Sequence, residues 1–145
     1  MAAFAAIIDA IILWATSEPA IRAVALVGSY ARETAQPDSD IDLVLLTADP
    51  GAFRKDAVWL DAINWKGIGT GQIRWEDEDY GALWSRRVWL KQGDGEIEFG
   101  FASSIWANVN PVDPGTRRVI SEGCRILYDP DRILNRLCTS LGQTA

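Results

Sequence analysis

The chain has 145 residues, with 14 lysines and arginines against 20 acidic residues, a net charge of −6, no histidine and two cysteines. At 48% hydrophobic and 23% charged residues, the composition is typical of globular proteins and excludes disordered and collagen-like chains. The missing histidine excludes imidazole catalysis and histidine metal sites, and the negative charge argues against stable nucleic-acid binding, which needs a basic surface. Acid–base or metal chemistry must therefore use carboxylates, and an acidic site still suits Mg²⁺ and a nucleotide.

The length predicts a single domain over residues 1–145, since domains commonly have about 100–150 residues. The cysteines and the N-terminal residues predict a cytoplasmic protein. Cys124 and Cys138 form neither a CxxC pair nor a disulfide framework, which indicates reduced thiols. The apolar residues 1–15 lack the basic region of a signal peptide and include Asp9, and they are fewer than the roughly 20 needed to span a bilayer. We therefore expect no membrane attachment.

The first third of the chain predicts a helix followed by two strands. Apolar residues at helical spacing predict an amphipathic helix over residues 4–15. The apolar run 23–27 predicts a strand that is buried on both faces. A brief helix or loop over residues 29–35 and a turn at 37–39 then lead to a second strand over residues 41–46, and we expect this strand to carry Asp40 and Asp42.

The middle of the chain predicts a helix, a strand and a loop. Asp49-Pro50 is typical of a helix start, and the helix would use one apolar side formed by Phe53, Ala57, Trp59, Leu60 and Ile63. Residues 68–75 predict a strand, and the acidic run 76–79 predicts a solvated loop.

The last part of the chain predicts a hairpin and a helical end. Residues 87–91 and 96–101 flank Gly93-Asp94-Gly95, which is a strong hairpin signal. The remaining predictions are a helix from Asp113 that Gly123 closes, a strand over 125–128 and a helix over 131–141. This order of elements indicates an α+β (mixed α/β) fold.

Two aspartates at the second strand are the first candidates for chemistry. Asp40 and Asp42 flank Ile41, so on a strand both carboxylates point to one face, about 6.5–7 Å apart along the backbone. Two such carboxylates repel each other, and a divalent cation such as Mg²⁺ would compensate their charge with hard oxygen ligands. The alternative is that both aspartates cap a turn and face water.

A Gly-Ser pair follows the first strand. Glycine lets backbone amides approach a phosphate closely, and the hydroxyl of Ser29 adds a donor. Alone, Gly28-Ser29 is equally consistent with an ordinary turn. Its position after a buried strand and 11 residues before Asp40 makes the combination much more specific.

A third carboxylate is expected to face the aspartate pair, because two-metal transfer sites commonly use one. Glu96 and Glu98 lie two apart on one face of the predicted hairpin. If this strand lies beside the Asp40–Asp42 strand, one glutamate reaches the site. The alternative is that both form the polar outer face of the hairpin.

The chain also has seven tryptophans. They can form an aromatic wall for a nucleobase or an acceptor, for which Trp84 and Trp89 are the best candidates, or they can simply fill the core. Arg86 and Arg87 lie between these two tryptophans and can either contact phosphate or lie on the surface.

The sequence resembles a known superfamily over these motifs. Gly28-Ser29-Tyr30-Ala31-Arg32 followed by Ser39-Asp40-Ile41-Asp42-Leu43 resembles the hG[GS]…DxD signature of polymerase-β-like nucleotidyltransferases. The chain looks most similar to the N-terminal domain of the streptomycin-modifying aminoglycoside 6-adenylyltransferases, over roughly residues 5–105. The resemblance implies a small nucleotidyltransferase fold, with a mixed β-sheet and helices packed mainly on one face.

The resemblance also implies roles for individual residues. Gly28 and Ser29 would hold the nucleotide triphosphate, which is the substrate. Asp40, Asp42 and Glu98 would be the catalytic and metal-binding residues, with Mg²⁺ as the cofactor. Glu98, at the family's third acidic position, would also be the general base that activates an acceptor hydroxyl.

Two positions leave the resemblance incomplete. Glu96 is the alternative to Glu98 for the third carboxylate. The family usually has a glycine after its Ala-Arg pair, where this chain has Glu33, and an acidic residue there can alter the loop geometry or weaken phosphate affinity.

The predicted function is Mg²⁺-dependent transfer of a nucleoside monophosphate, AMP from ATP, to a hydroxyl of a small molecule or a protein, with release of pyrophosphate. The alternative is a minimal nucleotidyltransferase antitoxin that binds and neutralises a partner toxin and in some cases adenylylates it. Because 145 residues leave no room for a second, acceptor-binding domain, we expect the acceptor site either to be open or to be completed by a second copy of the chain or a partner protein.

Overall fold

The computed structural model describes residues 3–91 and 93–142. Six strands in this part of the chain form one sheet: β1 (Ile21–Val27), β2 (Ile41–Thr47), β3 (Gln72–Asp79), β4 (Leu83–Leu90), β5 (Glu96–Ala102) and β6 (Cys124–Tyr128). Their order across the sheet is β3-β4-β5-β2-β1-β6. β2 and β5 run parallel, whereas every other pair of neighbours is antiparallel.

Helices connect and cover these strands. Their bounds are α1 (Phe4–Ser17), α2 (Gly28–Ala31), α3 (Val58–Ala62), α4 (Pro114–Ser121) and α5 (Ile133–Ser140). Short 3₁₀ turns lie at Pro50–Arg54, Lys66–Ile68 and Ser104–Ala107. Among the described residues, no helix has the length and apolar character needed to cross a membrane.

The predicted mixed α+β class is confirmed, and β1 is buried on both faces as its apolar run predicted. Val24 and Leu26 pack in one cluster with α1 and α3, on what we call the α1 face. Ala23 and Ala25 pack in a second cluster with α4 and α5, on what we call the α5 face. The helices are thus more evenly distributed than predicted, because the central strands are apolar on both sides.

The prediction of one continuous helix over residues 49–63 is wrong. The segment is divided into the 3₁₀ turn at Pro50–Arg54 and the short α3. In a continuous helix, the backbone carbonyls of this segment would accept hydrogen bonds from backbone amides. Here two of them accept from side chains: the Trp59 indole donates to the Phe53 carbonyl at 2.9 Å, and Arg86 donates to the Asp56 carbonyl at 2.9 Å. Tertiary hydrogen bonds therefore replace part of the helical pattern.

The prediction of a loop at residues 76–79 is also wrong, because these residues form the second half of β3. The strand starts at Gln72, four residues later than predicted, and ends at Asp79. Within the described residues, β3 is an edge strand that pairs with β4 alone, so its charged side chains reach water while its backbone is still hydrogen-bonded. In addition, the Asp77 carboxylate accepts bonds from Arg86 Nε at 2.7 Å and Nη2 at 3.0 Å.

The C-terminal predictions are confirmed. β4 and β5 form the predicted hairpin. Asp113 is the N-cap of α4 and accepts from the Thr116 amide at 3.0 Å, and Gly123 follows the helix with φ +138°. β6 and α5 occupy the predicted segments. The result that positions the functional site is the parallel placement of β5 beside β2.

Candidate active site

The β2–β5 register places two of the predicted acidic residues directly opposite each other. Asp42 is aligned with Glu98, and the flanking pairs are Ile41 with Ile97 and Leu43 with Phe99. Because Ile41 and Leu43 belong to the core of the α1 face, Asp42 and Glu98 project to the α5 face. The sequence predicted that Asp40 belongs to the second strand. In the structure, Asp40 lies immediately before β2, which starts at Ile41.

Gly28 lies against Asp42. Val27, the last residue of β1, is paired with Asp42, and the chain turns at Gly28 with φ +73°. A Cβ at this position would collide with the Asp42 carboxylate. Only glycine therefore combines this backbone conformation with this close approach. Ser29 follows in the same tight turn, where its carbonyl accepts from the Thr34 amide at 2.9 Å.

These residues border a cleft of about 460 Å³ on the α5 face. Gly28, Asp42 and Glu98 line it, and the apolar side chains of Leu83, Trp106 and Val119, which we call its apolar wall, line it as well. A cleft of this size that is lined by both carboxylates and apolar side chains fits a small molecule that has a charged part and a flat hydrophobic part.

Trp106 is the tryptophan that lines the cleft, which sequence reasoning did not identify. Trp84 lies on the α1 face, where its ring stacks on Phe101 at a centroid distance of 4.9 Å. Trp89 lies beneath the Arg74 guanidinium, 3.7 Å from the ring centre. The interpretation of Trp84 as an aromatic wall of the site is therefore wrong, and the alternative of core filling is correct for it.

Negative charge accumulates around Asp42 and Glu98. The pKa of Asp42 is raised to about 6, first by burial and then by the nearby carboxylates of Glu98 and Asp40. The pKa of Asp40 is also raised, first by burial and then by Glu96, although Arg87 opposes this effect. Raised pKa values mean that the ionised carboxylates are destabilised, so a bound cation would stabilise them.

Arg87 supplies a positive charge at this site. Its Nη1 donates to Asp40 Oδ2 at 2.8 Å and to Glu96 Oε2 at 3.0 Å, and its Nη2 donates to Glu98 Oε2 at 3.4 Å. From the sequence, Arg87 could either contact phosphate or lie on the surface. The signal that identifies it is the β4–β5 register, which aligns Arg87 with Glu98.

The fit to a metal ion depends on donors and on their placement. Carboxylate oxygens are suitable Mg²⁺ ligands, and Asp42 and Glu98 face each other, so the residues fit in chemistry and location. In the described part of the chain, however, no three Asp, Glu, Cys or His side chains already converge as a ligand set. Asp40 is joined to Glu98 through Arg87.

Glu33 has the backbone conformation that glycine adopts without cost. Its φ is +60°, and its side chain is exposed. The glycine that nucleotidyltransferases usually have after the Ala-Arg pair would take this left-handed conformation freely. The chain keeps the turn with a glutamate that points to solvent.

Comparison with protein families assigns this fold and site to a class. Residues 13–95 match the family model described as nucleotidyltransferase domain, which is more than half of the chain. The chain therefore belongs to the nucleotidyltransferase domain family, and the predicted nucleotidyltransferase activity is confirmed at this level. The matched segment includes Gly28, Ser29, Asp40 and Asp42 and ends three residues before Glu98.

Other comparisons give less detail. No curated protein matches the chain in sequence. Among solved structures, the chain is similar to a chain from a crystal structure of a toxin–antitoxin with AMP-PNP, at 14% identity and a TM-score of 0.42, over 92% of this chain and 82% of that one. The assignment therefore depends on the family match, and the relationship to aminoglycoside 6-adenylyltransferases stays a prediction.

Proposed function

We propose that the protein is a Mg²⁺-dependent nucleotidyltransferase that transfers AMP from ATP to an acceptor hydroxyl and releases pyrophosphate. The observation that carries this proposal is the alignment of Asp42 with Glu98 on neighbouring parallel strands, with the Gly28 backbone packed against the Asp42 carboxylate. The membership in the nucleotidyltransferase domain family supports the reaction class.

Asp40 and Asp42 would hold the magnesium ion, and Gly28 and Ser29 would bind the triphosphate beside them. When bound, the ion supplies positive charge that neutralises the triphosphate and the leaving pyrophosphate. The raised pKa of Asp42 supports this role, because it indicates a carboxylate whose charge is poorly compensated within the protein.

Glu98 would be the general base. It would accept the proton of the acceptor hydroxyl as the acceptor oxygen bonds to the α-phosphorus, and the bond from the α-phosphorus to the bridging oxygen of the β-phosphate would break. The β2–β5 register favours Glu98 over Glu96 for this role, because Glu98 is the strand partner of Asp42. Glu96 instead contacts Arg87 at 3.0 Å.

The apolar wall of the cleft would hold the nucleoside. Leu83, Trp106 and Val119 line the cleft that contains Asp42 and Glu98. A nucleobase has the flat shape and partly apolar character that such a wall binds well. In this arrangement the base and the α-phosphate would lie on the same face of the sheet.

Nucleotide binding with a double variant tests the site. ATP with Mg²⁺ should bind the protein, and Asp40→Asn with Asp42→Asn should lower the affinity at least about tenfold, because two metal ligands lose their charge. Asp61→Asn is the matched control, since Asp61 is an exposed aspartate whose contact is Gln72. Equal ATP affinity in the double variant and the control would contradict the proposal.

An acceptor screen tests the reaction. ATP labelled at the α-phosphate would be incubated with the protein, a panel of aminoglycosides and a cell lysate. A labelled aminoglycoside would support the predicted relationship to the aminoglycoside 6-adenylyltransferases. A labelled protein that copurifies with the chain would support the antitoxin alternative. If labelled ATP labels no acceptor, the proposed activity is wrong.

A further inference from the structure

Both carboxylate oxygens of Glu98 have a hydrogen-bond donor. The hydroxyl of the buried Ser85 donates to Oε1 at 2.9 Å, and Arg87 Nη2 donates to Oε2 at 3.4 Å. The other end of the same guanidinium holds Asp40 at 2.8 Å and Glu96 at 3.0 Å. One cation thus lies among three carboxylates, two of which belong to the proposed metal and base set.

We propose that Arg87 is an internal counter-ion that competes with the divalent cation for these carboxylates and, once displaced, binds the phosphates of the nucleotide. This inference rests on the proposed function and concerns the regulation of the same site. A guanidinium and a divalent cation repel each other and cannot both bind Asp40 Oδ2 and Glu98 Oε2, the two oxygens that Arg87 contacts. Arg87 must therefore turn away before these oxygens bind a metal ion.

The surroundings of Arg87 allow this movement. Its side chain is 35% exposed, and the hydrogen bonds that hold it go to acidic side chains that are themselves 23–32% exposed. Ion pairs of this exposure are weak, because water replaces them at little cost. When the metal ion takes over the carboxylates, these bonds are lost and the guanidinium becomes free to turn.

The triphosphate is the natural new partner for the displaced guanidinium. Arg87 is aligned with Glu98, which lines the same cleft as Gly28. Arginine binds phosphate through two parallel hydrogen bonds, which makes the long, planar-ended side chain beside Glu98 suitable for this contact. Arg87 is thus a positioning residue that exchanges carboxylates for the nucleotide when metal and nucleotide bind.

The exchange predicts effects of opposite sign on two ligands. In Arg87→Gln, Mn²⁺ alone should bind about tenfold more tightly than in the unmodified protein, because a competing positive charge is gone. At saturating Mn²⁺, the same variant should bind ATP at least about fivefold more weakly, because a phosphate contact is gone. A residue with only a structural role would change both affinities in the same direction or neither.

The experiment titrates Mn²⁺ by electron paramagnetic resonance and then ATP by calorimetry. Arg87→Lys keeps the charge, so its Mn²⁺ affinity should stay within about threefold of the unmodified protein. Arg87→Met is a second neutral variant that keeps the apolar stem. Arg74→Gln is the matched control, because Arg74 is an exposed arginine of the neighbouring strand whose partners are Glu76 and Trp89.

Three outcomes separate this inference from the proposed function. Tighter Mn²⁺ binding with weaker ATP binding in both neutral variants supports the exchange. Suppose that Mn²⁺ binds the unmodified protein, and that a folded neutral variant binds it with equal or lower affinity. The proposed exchange is then wrong, whereas the proposed metal site is supported. If neither the unmodified protein nor the Arg87 variants bind Mn²⁺, the proposed metal site and the exchange that depends on it are both wrong.

Discussion

Two consecutive arginines of β4 lie in opposite environments. The Arg86 side chain is fully buried on the α1 face, where it bonds to both oxygens of Asp77 and lies 3.8 Å from the centre of the Trp75 ring. It also donates to the backbone carbonyl of Asp56 at 2.9 Å. Arg87 is 35% exposed on the α5 face, where its hydrogen bonds go to carboxylates.

The difference separates a charge that is enclosed in the core from one that is accessible at the candidate site. A buried guanidinium with a bidentate partner and bonds to backbone carbonyls has one stable position, and losing it leaves its partners unsatisfied. A half-exposed guanidinium that several carboxylates share can be replaced by another cation. On the α1 face of β4, the arginine is therefore enclosed by the core and its partners are satisfied. On the α5 face, the arginine is accessible to solvent and to ligands.

Arg86 and Arg87 should differ most in their contribution to stability. We expect Arg86→Met to lower the free energy of unfolding by about 3–5 kcal/mol, because Asp77 loses its partner and buried carbonyls lose their donor. Arg87→Met should cost less than about 1 kcal/mol, because its ion pairs are partly exposed. Urea denaturation of both variants measures the contrast. Equal losses would show that the two faces do not differ as described.

The next effect concerns the turn at Gly28. Gly28→Ala should cost about 1–3 kcal/mol, because its φ is +73° and the new Cβ would meet the Asp42 carboxylate. Gly69→Ala is the control, since Gly69 has φ +80° and a Cβ placed there would have no heavy atom within 4 Å. Thermal denaturation should show the larger loss for Gly28→Ala. A similar loss in both variants would show that the close contact with Asp42 has no energetic weight.

A smaller effect is the pH dependence that Asp42 causes. Its pKa is raised from 3.8 to about 6, so the folded chain holds this proton more tightly than the unfolded chain. The free energy of unfolding should therefore fall through this group as pH rises from about 4 to about 6, by about 1 kcal/mol after allowance for solvent screening.

Asp42→Asn removes this group, so the variant should gain stability relative to the unmodified protein across the same pH window. Urea denaturation at pH 4, 5, 6 and 7 measures the difference. Saturating Mg²⁺ should reduce it above pH 6 by stabilising the ionised carboxylate of the unmodified protein. A difference that stays constant with pH would contradict the assigned protonation of Asp42.

The smallest effect is expected at Glu33, on the far side of the same turn. Glu33→Gly should raise the free energy of unfolding by at most about 1 kcal/mol, because glycine adopts φ +60° without strain but also makes the unfolded chain more flexible. The ATP affinity should stay within about twofold, since the Glu33 side chain is exposed. A large gain in ATP affinity would show that the glutamate repels phosphate.

Local patterns in the sequence were sufficient for much of the fold. The apolar run of β1 and the hairpin signal at Gly93-Asp94-Gly95 identified elements that the structure contains. The break between the 3₁₀ turn and α3 was not predictable from local spacing, because it depends on Arg86, a residue of β4 some 30 positions later in the chain. Long-range hydrogen bonds override helix periodicity at such places.

The site was predictable as a set of residues but not as an arrangement. The spacing of Gly28, Asp40 and Asp42 identified the motif, and Glu96 and Glu98 stayed open as alternatives. The parallel β2–β5 register, which no local pattern contains, is what places Glu98 opposite Asp42. The shared contacts of Arg87 depend on the same register, so the sequence indicated its charge but not its partners.

We propose that the α5 face at Asp42 and Glu98 binds the metal and the nucleotide. The most direct test is an NMR titration of the ¹⁵N-labelled protein with Mg²⁺ and a non-hydrolysable ATP analogue. We expect the largest shifts at the Gly28 amide and the Trp106 indole, and small shifts at the Trp59 and Trp65 indoles on the α1 face. Shifts confined to Trp59 and Trp65, or none at saturating nucleotide, would contradict the claim.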